Sequence, residues 1–203
     1  MDLEQYLFEE VALATLSNSI KNLEKIFNYG LKQVYEQSFL TKIEEQIKEV
    51  VRIRERPSKR INEVAWIDGF NVIYVNPQPF YSLTKEKQVS TLLHEFIHLL
   101  HSSRKFLFFN KFPEVKKLTK SLYIIVKNGL TQGSTLGSFI ANRKDVSLKY
   151  LNKEEILAYL MTGSINWNAI TKEAKEKVIQ ELKDSNMFNL TSNFWIKRLK
   201  WLT

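Results

Sequence analysis

The chain has 203 residues, 44% of them hydrophobic and 12% aromatic, which is enough to build one cored domain. It has no cysteine, so disulfides and thiolate ligands are excluded and a transition-metal site must draw on histidine and carboxylate. The net charge of +8 allows attraction to polyanions, while the acidic start Met1-Asp2-Leu3-Glu4 and the short apolar runs argue against an export signal and a membrane span and predict an intracellular chain.

The apolar spacing predicts a helix from Leu3 to about Leu16. One long helix, or two in succession, is expected from Ile20 to about Arg54, with Ile20, Leu23, Phe27, Leu31 and Val34 on one face. Pro57 and Ser58 interrupt that pattern. A boundary there would divide a helical N-terminal region, 1–57, from the remainder, 58–203, unless the two form one continuous domain. The basic cluster Arg52, Arg54, Arg56, Lys59 and Arg60 lies beside this boundary and reads as a solvated surface.

Two β-rich runs follow, Glu63–Ile67 and Phe70–Asn76, separated by Asp68-Gly69, a pair that favours a two-residue type I′ hairpin. Ile73 and Val75 alternate with Val72, Tyr74 and Asn76, so one side can pack while the other borders a cleft. Asn76-Pro77 ends the strand. Ser82 or Thr84 can then cap a helix from about Lys85 to Ser103, whose buried face is Val89, Leu92, Leu93, Phe96, Ile97, Leu99 and Leu100.

That helix carries His94-Glu95-Phe96-Ile97-His98, and with His101 it holds all three histidines of the chain. Four residues advance an α-helix by about 400°, so His94 and His98 project from one face about 6 Å apart and can reach one ion. Glu95 lies close enough to that face to take a proton from an ion-activated water, as a base and not a ligand. His101 sits a further turn along, beyond the reach of an ion held by the other two, and reads as a flanking or supporting residue.

Pro113 fits the first position of the next helix and Gly129 the position past its end. Residues 130–149, with Gly133 and Gly137, read as a loop that could border a site. Helices are expected from Asn152 to about Met161 and from Thr171 to about Asp184. An amphipathic C-terminal segment follows, with Phe194, Trp195, Lys197, Arg198, Lys200 and Trp201, and is expected to dock its aromatics on its own domain.

A catalytic zinc ion takes three protein ligands, and because no histidine follows His101 the third must be a carboxylate if it lies downstream. Glu155 is the first choice, since Ala158 on the next turn lets its helix approach the histidine helix closely. Asn152 followed by Glu155 also resembles a capping box, a purely helical use for the same glutamate. Glu154 and Asp145 stay open, as does Glu114, whose place early in a helix suits a carboxylate anyway.

Taken together, the strand Asn71-Val72-Ile73-Tyr74-Val75-Asn76-Pro77, then His94-Glu95-Phe96-Ile97-His98, then Glu155-x-x-Ala158 resemble a gluzincin metallopeptidase over roughly residues 61–163. Tyr159 departs from the acidic or small polar residue of several members. The resemblance implies an α+β fold in which a zincin-like mixed or antiparallel sheet covers the active-site helix, with helical N-terminal and C-terminal parts. It also implies one zinc ion on His94, His98 and Glu155, Glu95 as general base, and a peptide or protein substrate lying along the edge strand of the sheet, which is Phe70–Asn76 if that strand borders the cleft. An oxyanion stabiliser is expected, with Tyr150, Tyr159, Arg143 and Arg104 as candidates from chemistry alone. The competing reading is a zincin-fold binding or assembly protein with little proteolysis, using its terminal helices as attachment surfaces. No zinc-finger, Walker or recognition-helix signature is found, so no specific nucleic acid is expected.

Overall fold

The computed structural model describes residues 21–47, 51–59, 63–67, 72–101, 112–140 and 153–199. The expected helix from Leu3 to Leu16 lies outside the described residues. From residue 21 the chain forms two helices, α1 over residues 21–34 and α2 over Gln37–Ile47. They separate at Tyr35, which forms a bridge with Phe188 and is buried, its ring 5.4 Å from that of Phe188.

The helix expected to reach Arg54 stops earlier, and Arg52–Glu55 is a strand, β1. Ile53 is buried between an exposed Arg52 and a half-buried Arg54, as in an extended segment whose neighbouring side chains point to opposite faces. Pairing settles the matter, because β1 lies parallel to β3 (Val72–Val75), with Ile53 opposite Ile73. On the far side β3 pairs antiparallel with β2 (Ala65–Ile67). The result is a three-stranded mixed sheet in the order β1-β3-β2. Among the described residues β3 is therefore its inner strand, with both sides paired, and β1 and β2 are the edges.

The β2–β3 register corrects the expected turn. A two-residue Asp68-Gly69 connection would place Ile67 opposite Phe70, whereas Ile67 faces Ile73. The connecting residues themselves are outside the described set. Because the offset is an odd number, it exchanges the faces of β2 relative to β3. Trp66 thus shares a face with Tyr74, its ring 5.5 Å away and nearly parallel, on the side opposite Ile73 and Val75.

Pro77–Tyr81 forms a short helix, α3, and α4 runs from Lys85 to His101. Thr84 is the residue that caps α4: its Oγ1 accepts from the Lys87 amide at 3.4 Å, while the Ser82 hydroxyl turns back to the Pro79 carbonyl. All seven apolar positions expected on the inner face of α4 are buried. The helix packs on β2 and β3, and against α7 (Lys153–Thr162) and α5 (Pro113–Asn128). Ala158 is fully buried, so a small side chain does sit within the packed core at the level of α7 expected from the sequence.

Gly129 follows α5 as expected, but with a φ of −99° it is not there for a left-handed turn. A Cβ at this position would come within 2.2 Å of the Ala174 Cβ on α8 (Lys172–Asp184), so close approach of two helices requires glycine. The stretch expected to be an open loop after Gly129 is tied down over residues 130–140. Leu130 and Ile140 form bridges with Ile170 and Ile165, and a four-residue helix, α6 (Leu136–Phe139), is closed by a reciprocal Thr135–Ser138 capping box.

The final described helix, α9 (Asn193–Leu199), docks on the same molecule. Phe194 and Trp195 are buried, and the Trp195 indole donates to the Val34 carbonyl at 3.0 Å. One apolar cluster runs from Leu23 through Ile53 and Phe96 to Trp195, so the described parts before and after residue 57 share a core. The fold is α+β and mostly helical. No helix among the described residues is long and apolar enough to cross a membrane.

Candidate metal centre

Three side chains from two helices converge beside the middle of α4. His94 and His98 project from one face of that helix, their Nε2 atoms 3.1 Å apart. Glu155, on the first described turns of α7, faces both: Oε2 is 3.8 Å from His94 Nε2 and Oε1 is 3.6 Å from His98 Nε2. Donors held about 2.0–2.1 Å from a tetrahedral zinc ion stand roughly 3.3 Å from one another, and these three edges bracket that value. The donor set therefore fits one small divalent cation. Side-chain exposures of 15, 15 and 22% leave the group open to solvent on one side.

Electrostatics favour the same occupant. Burial pushes His98 down to about 4, so near neutral pH its ring is uncharged and has a lone pair to offer. Glu95 moves the opposite way, up to about 8, first by burial, then by the carboxylates of Glu155 and Glu63. Burial is the larger cause, and the two carboxylates add to it.

The other candidates fall elsewhere. Glu114 pairs with the Lys42 ammonium at the start of α5 and is not among the converging groups. Asp145 lies outside the described residues, as do Asn152 and the side chain of Glu154, so the capping-box use of Glu155 lies there too. Of the four oxyanion candidates, Arg104, Arg143 and Tyr150 are also outside. Tyr159 is described, and its ring stands edge-on to that of His94 with centroids 5.1 Å apart.

His101 is buried and points away from the triad into α5, with its Nε2 2.6 Å from Thr119 Oγ1. The Thr119 hydroxyl donates its one proton to the Val115 carbonyl, so His101 must be the donor and carries hydrogen on Nε2. This histidine joins α4 to α5. Burial, His98 and Lys116 hold it down to about 4, below the ordinary 6.5. An unfolded chain takes up that proton below 6.5 while the folded one refuses it to about 4, so this residue makes stability fall as pH drops through that window. His101→Ala should cost about 2–3 kcal/mol at pH 7, from a lost buried hydrogen bond and a cavity, and should flatten the acid limb. Uptake of a divalent cation by His94, His98 and Glu155 should be the same in this variant; a parallel loss of uptake would add His101 to that group.

Two residues around the centre carried no sequence signal. Glu63, just before β2, adds to the negative charge that raises Glu95. Arg198 is the other. Its Nε donates to the Met161 carbonyl at 2.9 Å, Nη1 to the Phe194 carbonyl at 2.9 Å and Nη2 to Ser90 Oγ at 2.5 Å. Ser90 lies one turn before His94 and Met161 lies on the glutamate helix, so one guanidinium spans both helices of the site. Its fixed fork of donors makes that possible.

Comparison with known protein families, curated proteins and solved structures finds no match to this chain.

Proposed function

We propose that the chain is a zinc-dependent peptidase of the gluzincin kind, with a zincin-like arrangement of sheet and active-site helix. The observation that carries this reading is the convergence of His94, His98 and Glu155 beside Glu95, from two helices that meet through a fully buried core. These three residues would hold the ion. When bound, zinc supplies Lewis acidity that polarises the scissile carbonyl and makes water acidic enough to attack near neutral pH.

The chain's own groups do the rest. Glu95 takes the proton of the attacking water and passes it to the leaving amine. A cation at the three donors would offset the repulsion from Glu155 and bring Glu95 below its metal-free value, into the range of a useful base. The substrate can add as a strand to β2, which packs on α4 and is an edge among the described residues; the strand expected for this pairing, Phe70–Asn76, contains β3, which is already paired on both sides.

Two measurements on the same preparation test this reading. Protein purified without added metal should contain one zinc per chain, and a peptide-library digest should stop with chelator and resume with zinc. Zinc without cleavage across the library would favour a non-catalytic binding protein built on the same centre. Absence of zinc, and no uptake from buffer, would sink the proposal.

A further inference from the structure

We propose that the outer face of the sheet binds single-stranded nucleic acid. Had residues 52–56 been helical, successive alternate arginines would have pointed about 200° apart. As a strand, β1 turns Ile53 into the core and puts Arg52 and Arg54 together on the opposite face. Arg56 continues the row, its amide bonded to the Val75 carbonyl at 2.9 Å. Register then aligns Arg54, Tyr74 and Trp66 across the three strands.

The aromatic part of this face is a column. The Arg56 guanidinium stands 5.4 Å from the centre of the Tyr74 ring, and Tyr74 stacks on Trp66 at 5.5 Å with the planes 23° apart. Trp66 is the edge-strand end of that column, on β2. By strand alternation Glu55 belongs to the other side, where it accepts from the Tyr81 hydroxyl at 2.5 Å. The outer face of the described strands thus carries two arginines, two stacked aromatics and no acid, with Arg56 following directly after β1.

A partner that matches must be a polyanion with flat apolar faces. Alternate residues on a strand repeat every ~6.7 Å, so the arginine row can follow the phosphates of an extended strand while bases extend the stack beyond Trp66. Duplex bases are already stacked on each other and offer no free face, which selects single strands. Recognition through stacking and phosphate contacts tolerates many sequences.

Fluorescence anisotropy of a labelled oligothymidylate with the full chain, titrated between about 50 and 200 mM salt, tests this. Trp66→Ala should weaken binding roughly tenfold, and Trp66→Phe much less. Arg54→Gln, which leaves the aromatic column intact, should reduce the slope of log affinity against log salt by about 0.7. Lys172→Gln, on α8 and 90% exposed, should change neither. An equal effect from Lys172→Gln, or indifference to Trp66→Ala, would mean diffuse attraction to a cationic chain and would overturn the proposal. So would tighter binding to polyglutamate or to anionic vesicles than to the oligonucleotide.

Discussion

Glu95→Gln should abolish peptide hydrolysis, keep the zinc, and stabilise the metal-free protein by about 3 kcal/mol at pH 7. The first two effects follow from its place beside the donors and outside the ligand set. The third follows from its proton. In an unfolded chain this carboxyl ionises near the ordinary 4.5, but in the folded one it holds its proton to about 8, because burial and the carboxylates of Glu155 and Glu63 oppose the charge. Folding stability from this group is complete below 4.5 and is lost as pH rises toward 8, by about 1.4 kcal/mol per unit. Glutamine has no proton to lose. Urea denaturation in the presence of chelator should therefore show wild type and variant close together at pH 5 and separated by about 3 kcal/mol at pH 7. Parallel pH profiles for the two proteins would refute the electrostatic account, whatever the activity assay shows.

Glu155→Gln should lose zinc. The substitution keeps the shape of the side chain but removes the anionic donor that faces His94 and His98 among the described residues. Removing a group that merely orients a ligand costs 10–100-fold in metal affinity, so losing a ligand should cost more than about 100-fold. Competition against a chromogenic chelator measures this directly. Glu114→Gln is the matched control, because Glu114 is engaged with Lys42, and it should bind zinc as wild type does. The variant should also relieve part of the charge pressure on Glu95, so in metal-free protein the alkaline loss of stability should become shallower. Wild-type affinity in Glu155→Gln would remove it from the ligand set.

The parts of this molecule that sequence predicts well are those decided within one helix. Histidine spacing on α4, its buried stripe and the cap at Thr84 are local, as is the carboxylate one turn before Ala158 on α7. The errors concern pairing between segments. Arg52–Glu55 is a strand because β3 supplies its partner, which no window around Val51 contains. The register of β2 depends on a connection longer than the tempting Asp68-Gly69 pair, and the difference moves Trp66 to the face of Tyr74. Both errors hid the arginine and aromatic face. Arg198 was invisible for a related reason: its partners lie 108 and 37 residues away in the chain.

That guanidinium also bears on the order in which a working protein comes into being. During synthesis His94 and His98 emerge well before Glu155, and the brace between their two helices arrives only when residue 198 has left the ribosome. Before that point the two helices can meet only through their apolar faces. The polar tie between the two helices is thus the last of their contacts to form, after the buried apolar packing that already holds them together.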